Sequence, residues 1–279
     1  MLGQSSLELV RLALAEDLSV AGDVTTDAVV PPGATGRGVV LAKQDAVLAG
    51  TDVFDAVFES VDADVKIMWS AHDGDDISPG QVIATIEGRL RSILTGERTA
   101  LNFLQRLSGV ATMTRRFVDA APGIEVRDTR KTTPGMRALE KAAVRAAGGT
   151  NHRMGLFDAI LLKDNHVAAA GGIADAVGSA AKTGLKVQVE CETLDQVREA
   201  LDAGANELLL DNMDIQMLKE AAALAGGRAK TEASGGITLA TIKDVATSGV
   251  DAVSVGALTH SAPAVDLSLE LEADDAARG

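Results

Sequence analysis

The chain has 279 residues, a formal net charge of -14, 46% hydrophobic residues and almost no aromatic ones, enough for one large domain or two modest ones. Acidity and scarce aromatics argue against extended nucleic-acid binding, which wants basic faces and stacking platforms. No apolar run approaches the roughly 18 residues of a bilayer span, and a single cysteine, Cys191, excludes an internal disulfide.

The N-terminus lacks a basic start and a signal-type apolar core, so a cytoplasmic location is expected. Residues 5–17 place Leu7, Val10 and Leu14 at helical spacing. The following stretch, with Pro31-Pro32, reads as loop. Short β-rich runs come next, Val39–Leu41, Val65–Met68 and Val82–Ile86, with a helix over Asp52–Ser60 between the first two. Residues 94–118 repeat Leu101, Leu104, Leu107 and Val110 on one helical face and carry Glu97-Arg98 near the start, by spacing alone a helix-end ion pair.

After Pro122-Gly123 strands and helices alternate. Strands are predicted at 124–127, 159–162, 186–189, 207–210, 229–231 and 252–255. The last three strand-to-strand steps, each about 20 to 23 residues, suit βα units. Strand runs apolar on both faces imply a buried parallel sheet. Polar residues or glycines follow every strand: Asp128-Arg130-Lys131, Lys163-Asp164-Asn165, Glu190, Asp211-Asn212, Ser234-Gly235-Gly236, then Gly256 with His260. In a β/α barrel those ends share one face, where active sites lie. An open doubly wound sheet would normally put its glycine-rich turn after the first strand.

The run Arg127–His166 concentrates positive charge: eight Lys/Arg against four acids, in a chain of net charge -14. Fixed positive charge in a cleft attracts small polyanions. Arg130, Arg153 and Lys163, with His152 beside them, can hold a dicarboxylate, because guanidinium forks match planar carboxylates. Glu190 and Asp211 are paired carboxylates that can serve as acid and base or bind Mg²⁺. Ser234-Gly235-Gly236 and Gly256 can present backbone N–H groups to phosphate. P-loop and dinucleotide-binding glycine patterns and zinc-type histidine motifs do not occur. Cys191 and His72 read as structural.

These stretches together resemble the quinolinate phosphoribosyltransferase family over nearly the whole chain. The likeness runs through LAEDLSVAGDVTTDAVV, DGDDISPGQVIATIEG and GERTALNFLQRLSGVAT. It is densest in RDTRKTTPGMRALEKAAVRAAGGTNHR and LLKDNH, and continues in LLLDNM, EASGGI and VSVGALTHS. The resemblance implies an N-terminal α/β sandwich domain over 1–108 and an incomplete (β/α) barrel over 109–266. A tail over 267–279 would pack back on the first domain. It also implies a homodimer acting on quinolinate and phosphoribosyl pyrophosphate, with Mg²⁺ as cofactor and no nucleic-acid or membrane partner. On that pattern Arg130, His152, Arg153 and Lys163 surround the quinolinate carboxylates, and Arg98 reaches into the partner subunit's site. Lys131, Glu190 and Asp211 are the catalytic group, the two carboxylates facing Mg²⁺. Ser234, Gly235, Gly256 and His260 line the 5′-phosphate pocket. The family's VEVE strand reads VQVE here, with Gln188 replacing the first glutamate.

Two other readings compete. A same-fold phosphoribosyltransferase can take another acceptor, nicotinate or that of a molybdenum-transport-associated homologue. A carrier protein is suggested by the hammerhead-like DGDDISPGQVIATIEG, but it would need its lysine on a tight hairpin, and Lys66 lies inside an apparent strand.

Overall fold

A computed structural model describes residues 2–272. The chain divides into two compact units that interleave along the sequence: one holds residues up to Met113, Thr133–Ala147 and those from Ala262, the other Thr114–Thr132 and Gly148–Ser261.

In the first unit α1 (Gln4–Leu18) buries Val10 and Leu14, as its helical spacing requires. The stretch read as loop contains a short helix, α2 (Val24–Val29), because the Asp23 carboxylate accepts from Thr26 N at 2.9 Å and caps it. There follow β1 (Thr35–Ala42), β2 (Ala46–Val47), α3 (Thr51–Val61), β3 (Lys66–Trp69), β4 (Asp76–Ile77), β5 (Val82–Arg89) and α4 (Leu90–Ala120), the last counted here as far as Met113. β5 pairs antiparallel with β1 on one side and β3 on the other, while β2 and β4 form a small ribbon. With so few aromatics available, three of them gather. Phe54 on α3 lies 5.1 Å from Phe58 and meets Trp69 edge-on at 5.3 Å, a favoured aromatic arrangement. Lys66 sits inside β3, in register with Glu87, and not on the tight hairpin that a carrier lysine occupies.

The second unit starts at the end of α4 and continues with β6 (Glu125–Arg127). The next helix, α5 (Arg137–Ala146), counts with the first unit. Then come β7 (Ile160–Leu162), α6 (Asp164–Ala170), α7 (Ile173–Ala181), β8 (Val187–Cys191), α8 (Leu194–Asp202), β9 (Glu207–Asp211), α9 (Ile215–Ala225), β10 (Lys230–Ser234), α10 (Ile242–Ala246), β11 (Ala252–Ser254) and α11 (Ala257–His260). The six strands form one parallel sheet in the order β6-β11-β10-β9-β8-β7. The first strand therefore pairs with the last, as ring closure requires. Between β6 and β7 only a bridge from Arg127 to Thr150 stands in, so the barrel is incomplete.

Three strands run past their predicted ends: β8 through Glu190 and Cys191, β9 through Asp211 and β10 through Ser234, with β9 pairing to both neighbours. Glu190, Asp211 and Ser234 thus lie within the last two residues of their strands and not just past them. The helix α6 was not evident in LLKDNH; the His166 ring accepts from Lys163 N at 3.1 Å and starts it.

The last element among the described residues, β12 (Leu267–Leu271), pairs antiparallel with β1 in the first unit. Residues 273–279 of the expected tail lie outside the described residues. No helix among the described residues is long and apolar enough to cross a membrane.

Candidate active site

Parallel strands deliver all their C-terminal ends to one side, and the second unit holds a cavity of about 230 Å³ there. Its walls include Arg130 and Lys131 beyond β6, His152 and Arg153 from the segment before β7, and Lys163 beyond β7. Glu190, Asp211 and Ser234 line it from the ends of β8, β9 and β10. Eight of the twelve residues picked from the sequence therefore share one cavity, although up to 104 positions separate them in the chain.

Lys163 Nζ donates to Glu190 Oε2, joining a residue expected at the substrate carboxylates to one expected at the metal. Asp211 Oδ2 accepts from the Asn212 amide at 2.7 Å. Asn212 has a left-handed φ of 54° and donates its N–H to Ser234 O at 2.9 Å, tying the β9 and β10 ends together. That approach leaves no room beside Gly235: a Cβ there would lie 2.1 Å from Asn212 Oδ1, and its φ is +94°. Gly256 is nearly as confined, since a Cβ would lie 3.0 Å from His260 Nε2 and 3.2 Å from Lys131 Cδ. Gly256, His260 and Lys131 are thus neighbours. Thr259 Oγ1 reinforces this by donating to Lys131 O at 2.9 Å.

Arg153 donates to Ala159 O at 3.0 Å, while its Nε is buried with no hydrogen-bond partner. Burial pulls its pKa down and the Arg130 charge adds to that, against the attraction of Asp158. An anion between Arg130 and Arg153 would relieve both effects. Asp128 beneath this region is fully buried; its carboxylate accepts from His152 N at 2.9 Å and from the Asn151 amide at 2.5 Å.

Two functional neighbours escaped the sequence reading, Glu232 and Ser254. Glu232 lies in β10, 2% exposed, and accepts from Arg127 at 2.7 Å, from Gln188 at 3.0 Å and from the Ser254 hydroxyl. Burial works against the Arg127 charge, but Glu232 and Glu125 outweigh it and raise its pKa. An acid between Thr231 and Ala233, at a position buried in the strand, was the available signal. It was missed because β10 was read to stop at Thr231.

Arg98 lies on α4 in the first unit, exposed, and lines a cavity of about 310 Å³ with Glu16, Asp17 and Asn102. Beside it Glu97 is pushed up by burial, against the pull of the Arg98 charge. Cys191 is fully buried and its thiol is pushed up to about 12, chiefly by burial and then by Glu190, so it is a packed, unreactive side chain.

A β/α sheet whose strand ends combine paired cations, paired carboxylates and glycine turns defines a class: enzymes that grip small polyanions at the C-terminal face of a barrel. Comparison with known proteins makes this specific. Residues 23–108 match the family described as quinolinate phosphoribosyl transferase, N-terminal domain, and residues 110–270 its C-terminal domain. The chain is 41% identical over 288 residues to a tobacco (Nicotiana tabacum) protein named decarboxylating quinolinate phosphoribosyltransferase 2b, covering 96% of this chain and 82% of that one. It is 42% identical over 261 residues to a probable nicotinate-nucleotide pyrophosphorylase of Bacillus subtilis, covering 92% and 90%. Among solved structures, the nicotinate-nucleotide pyrophosphorylase of Francisella tularensis superposes with a TM-score of 0.94 at 39% identity, covering 98% of each chain. The chain belongs to the quinolinate phosphoribosyltransferase family.

Proposed function

We propose that this chain converts quinolinate and phosphoribosyl pyrophosphate to nicotinate mononucleotide, pyrophosphate and CO₂, in de novo NAD synthesis. The observation that carries the reading is that one cavity is lined by Arg130, Arg153 and Lys163 together with Glu190, Asp211 and Ser234. Three fixed cations match the two carboxylates of quinolinate, whereas nicotinate with one would leave most of that charge unanswered. The position of Lys66 within a strand speaks against a carrier.

In the reaction the pyridine nitrogen forms a bond to the anomeric carbon while the bond to pyrophosphate breaks. The bond from ring C2 to its carboxylate then breaks, CO₂ departs, and the electron pair left on C2 takes a proton. Lys131 stands where it can offset charge on the departing pyrophosphate. Glu190 and Asp211 favour the positive charge that develops on the ribose. This is preorganised electrostatics, without a covalent intermediate. Lys163 on Glu190 couples the two halves, so an arriving quinolinate carboxylate competes for Lys163 and releases Glu190.

Glu190 and Asp211, lining the cavity from the ends of β8 and β9, are the oxygen donors that would hold a metal ion. That suits Mg²⁺, which binds few protein ligands and completes its octahedron with phosphate and water oxygens. When bound, Mg²⁺ would neutralise the pyrophosphate. The exposed Arg98 serves the carboxylate end of the site in a second copy of the chain, making the enzyme a homodimer.

An acceptor panel tests the assignment. With phosphoribosyl pyrophosphate and Mg²⁺, quinolinate should release CO₂ and pyrophosphate in equal amounts, and chelation by EDTA should stop both. Turnover of nicotinate without quinolinate turnover would overturn the assignment.

A further inference from the structure

His152 was expected to stand with the cations around the substrate carboxylates. Its hydrogen bonds assign it differently. The Glu232 carboxylate, held by Arg127, can only accept. The end of the Gln188 side chain facing it at 3.0 Å is therefore the NH₂ group. The other end of that amide, its oxygen, lies 2.9 Å from His152 Nε2. An amide oxygen can only accept, so Nε2 must carry a proton. On the far side of the ring, the backbone N–H of Arg153 donates to His152 Nδ1 at 2.7 Å, so Nδ1 must be bare. Neither the amide orientation nor the tautomer is free once an acceptor-only carboxylate anchors one end and a backbone donor the other.

A second proton on His152 would set an N–H against the Arg153 N–H. Glu232 Oε1, 3.7 Å from Nε2, would favour that proton, but Arg127 shares the same carboxylate and Arg153 adds positive charge alongside. We propose that Gln188 and Glu232 lock His152 as the neutral Nε2–H tautomer, whose task is to position the Arg153 backbone and not to add charge to the substrate clamp. The consequence rests on the quinolinate reading: Arg130, Arg153 and Lys163 alone supply the positive charge of this chain's clamp. The glutamine in VQVE gains a purpose here, since a glutamate at position 188 could not donate to Glu232 while accepting from His152.

The test is ¹⁵N NMR of the full chain labelled at histidine, without substrate, the His152 signals being assigned by their loss in His152→Asn. At neutral pH His152 should show a protonated Nε2 and a bare Nδ1. The Nδ1–H tautomer, or double protonation at neutral pH, would overturn the proposal. A kinetic arm tests positioning. His152→Asn keeps an acceptor near the Nδ1 position and should recover most of the quinolinate KM lost in His152→Ala, whereas equal loss in both would count against it. The NMR readout needs no turnover, so its failure is separable from failure of the quinolinate assignment.

Discussion

Arg153→Lys tests the clamp most directly. The guanidinium spends one N–H on Ala159 O, and its buried Nε has no hydrogen-bond partner. The donors remaining can take a carboxylate in fork geometry, which an ammonium cannot reproduce. Losing one charge-assisted hydrogen bond costs about 1.5–3 kcal/mol, so the quinolinate KM should rise roughly 10- to 150-fold at one decade per 1.4 kcal/mol. The KM for phosphoribosyl pyrophosphate should change far less. A second signature follows from the site itself. Burial and then Arg130 depress the pKa of a cation at this position. An arginine stays charged regardless, but a lysine there would have its ammonium pKa lowered. The variant's quinolinate KM should therefore climb more steeply than that of the unmodified chain as pH rises through the alkaline range. Initial rates of pyrophosphate release against quinolinate, at saturating phosphoribosyl pyrophosphate and several pH values, measure both. A KM within about twofold of the unmodified chain would refute the clamp, and a flat pH profile the electrostatic argument.

If Arg98 serves a partner's site, inactive Arg98→Ala and inactive Lys163→Ala should complement on mixing. Random pairing gives half mixed dimers, each with one intact site, hence roughly a quarter of full activity; no recovery after dissociation and reassociation would contradict a shared site. Asp62 contributes to acid sensitivity in the first unit. The Arg89 fork, at 2.6 and 2.8 Å, and then Ser92 hold its carboxyl well below the ordinary value of 3.8. A depressed folded-state pKa means this stabilisation is complete above about pH 4. It drains away as pH falls below that. Asp62→Asn should thus lose stability at neutral pH and show a shallower further loss below about pH 4 in urea titrations. An acid limb identical to that of the unmodified chain would reject this.

Local spacing carried much of the fold. The βα rhythm after Pro122, the Leu101-Leu104-Leu107 face of α4 and the residues at successive strand ends were legible because each follows from periodicity within a few turns of chain. The cationic run was legible as charge alone. Periodicity could not show that Arg130, Lys163, Glu190, Asp211 and Ser234 meet in one cavity. Parallel pairing of strands far apart in sequence decides that, by putting every C-terminal end on the same side. It could not show α2 either, where Asp23 supplies a cap amid loop-like residues. Glu232 makes the distinction clearest. In sequence it is one acid before Ala233-Ser234. In the folded sheet it is a buried carboxylate that must be satisfied, and Arg127, Gln188 and Ser254 arrive from three other strands to satisfy it. Composition and spacing determined which elements form and where charge collects. Which charges neutralise one another, and which way a histidine holds its proton, only tertiary structure could decide, because hydrogen-bond direction depends on partners dozens of residues away.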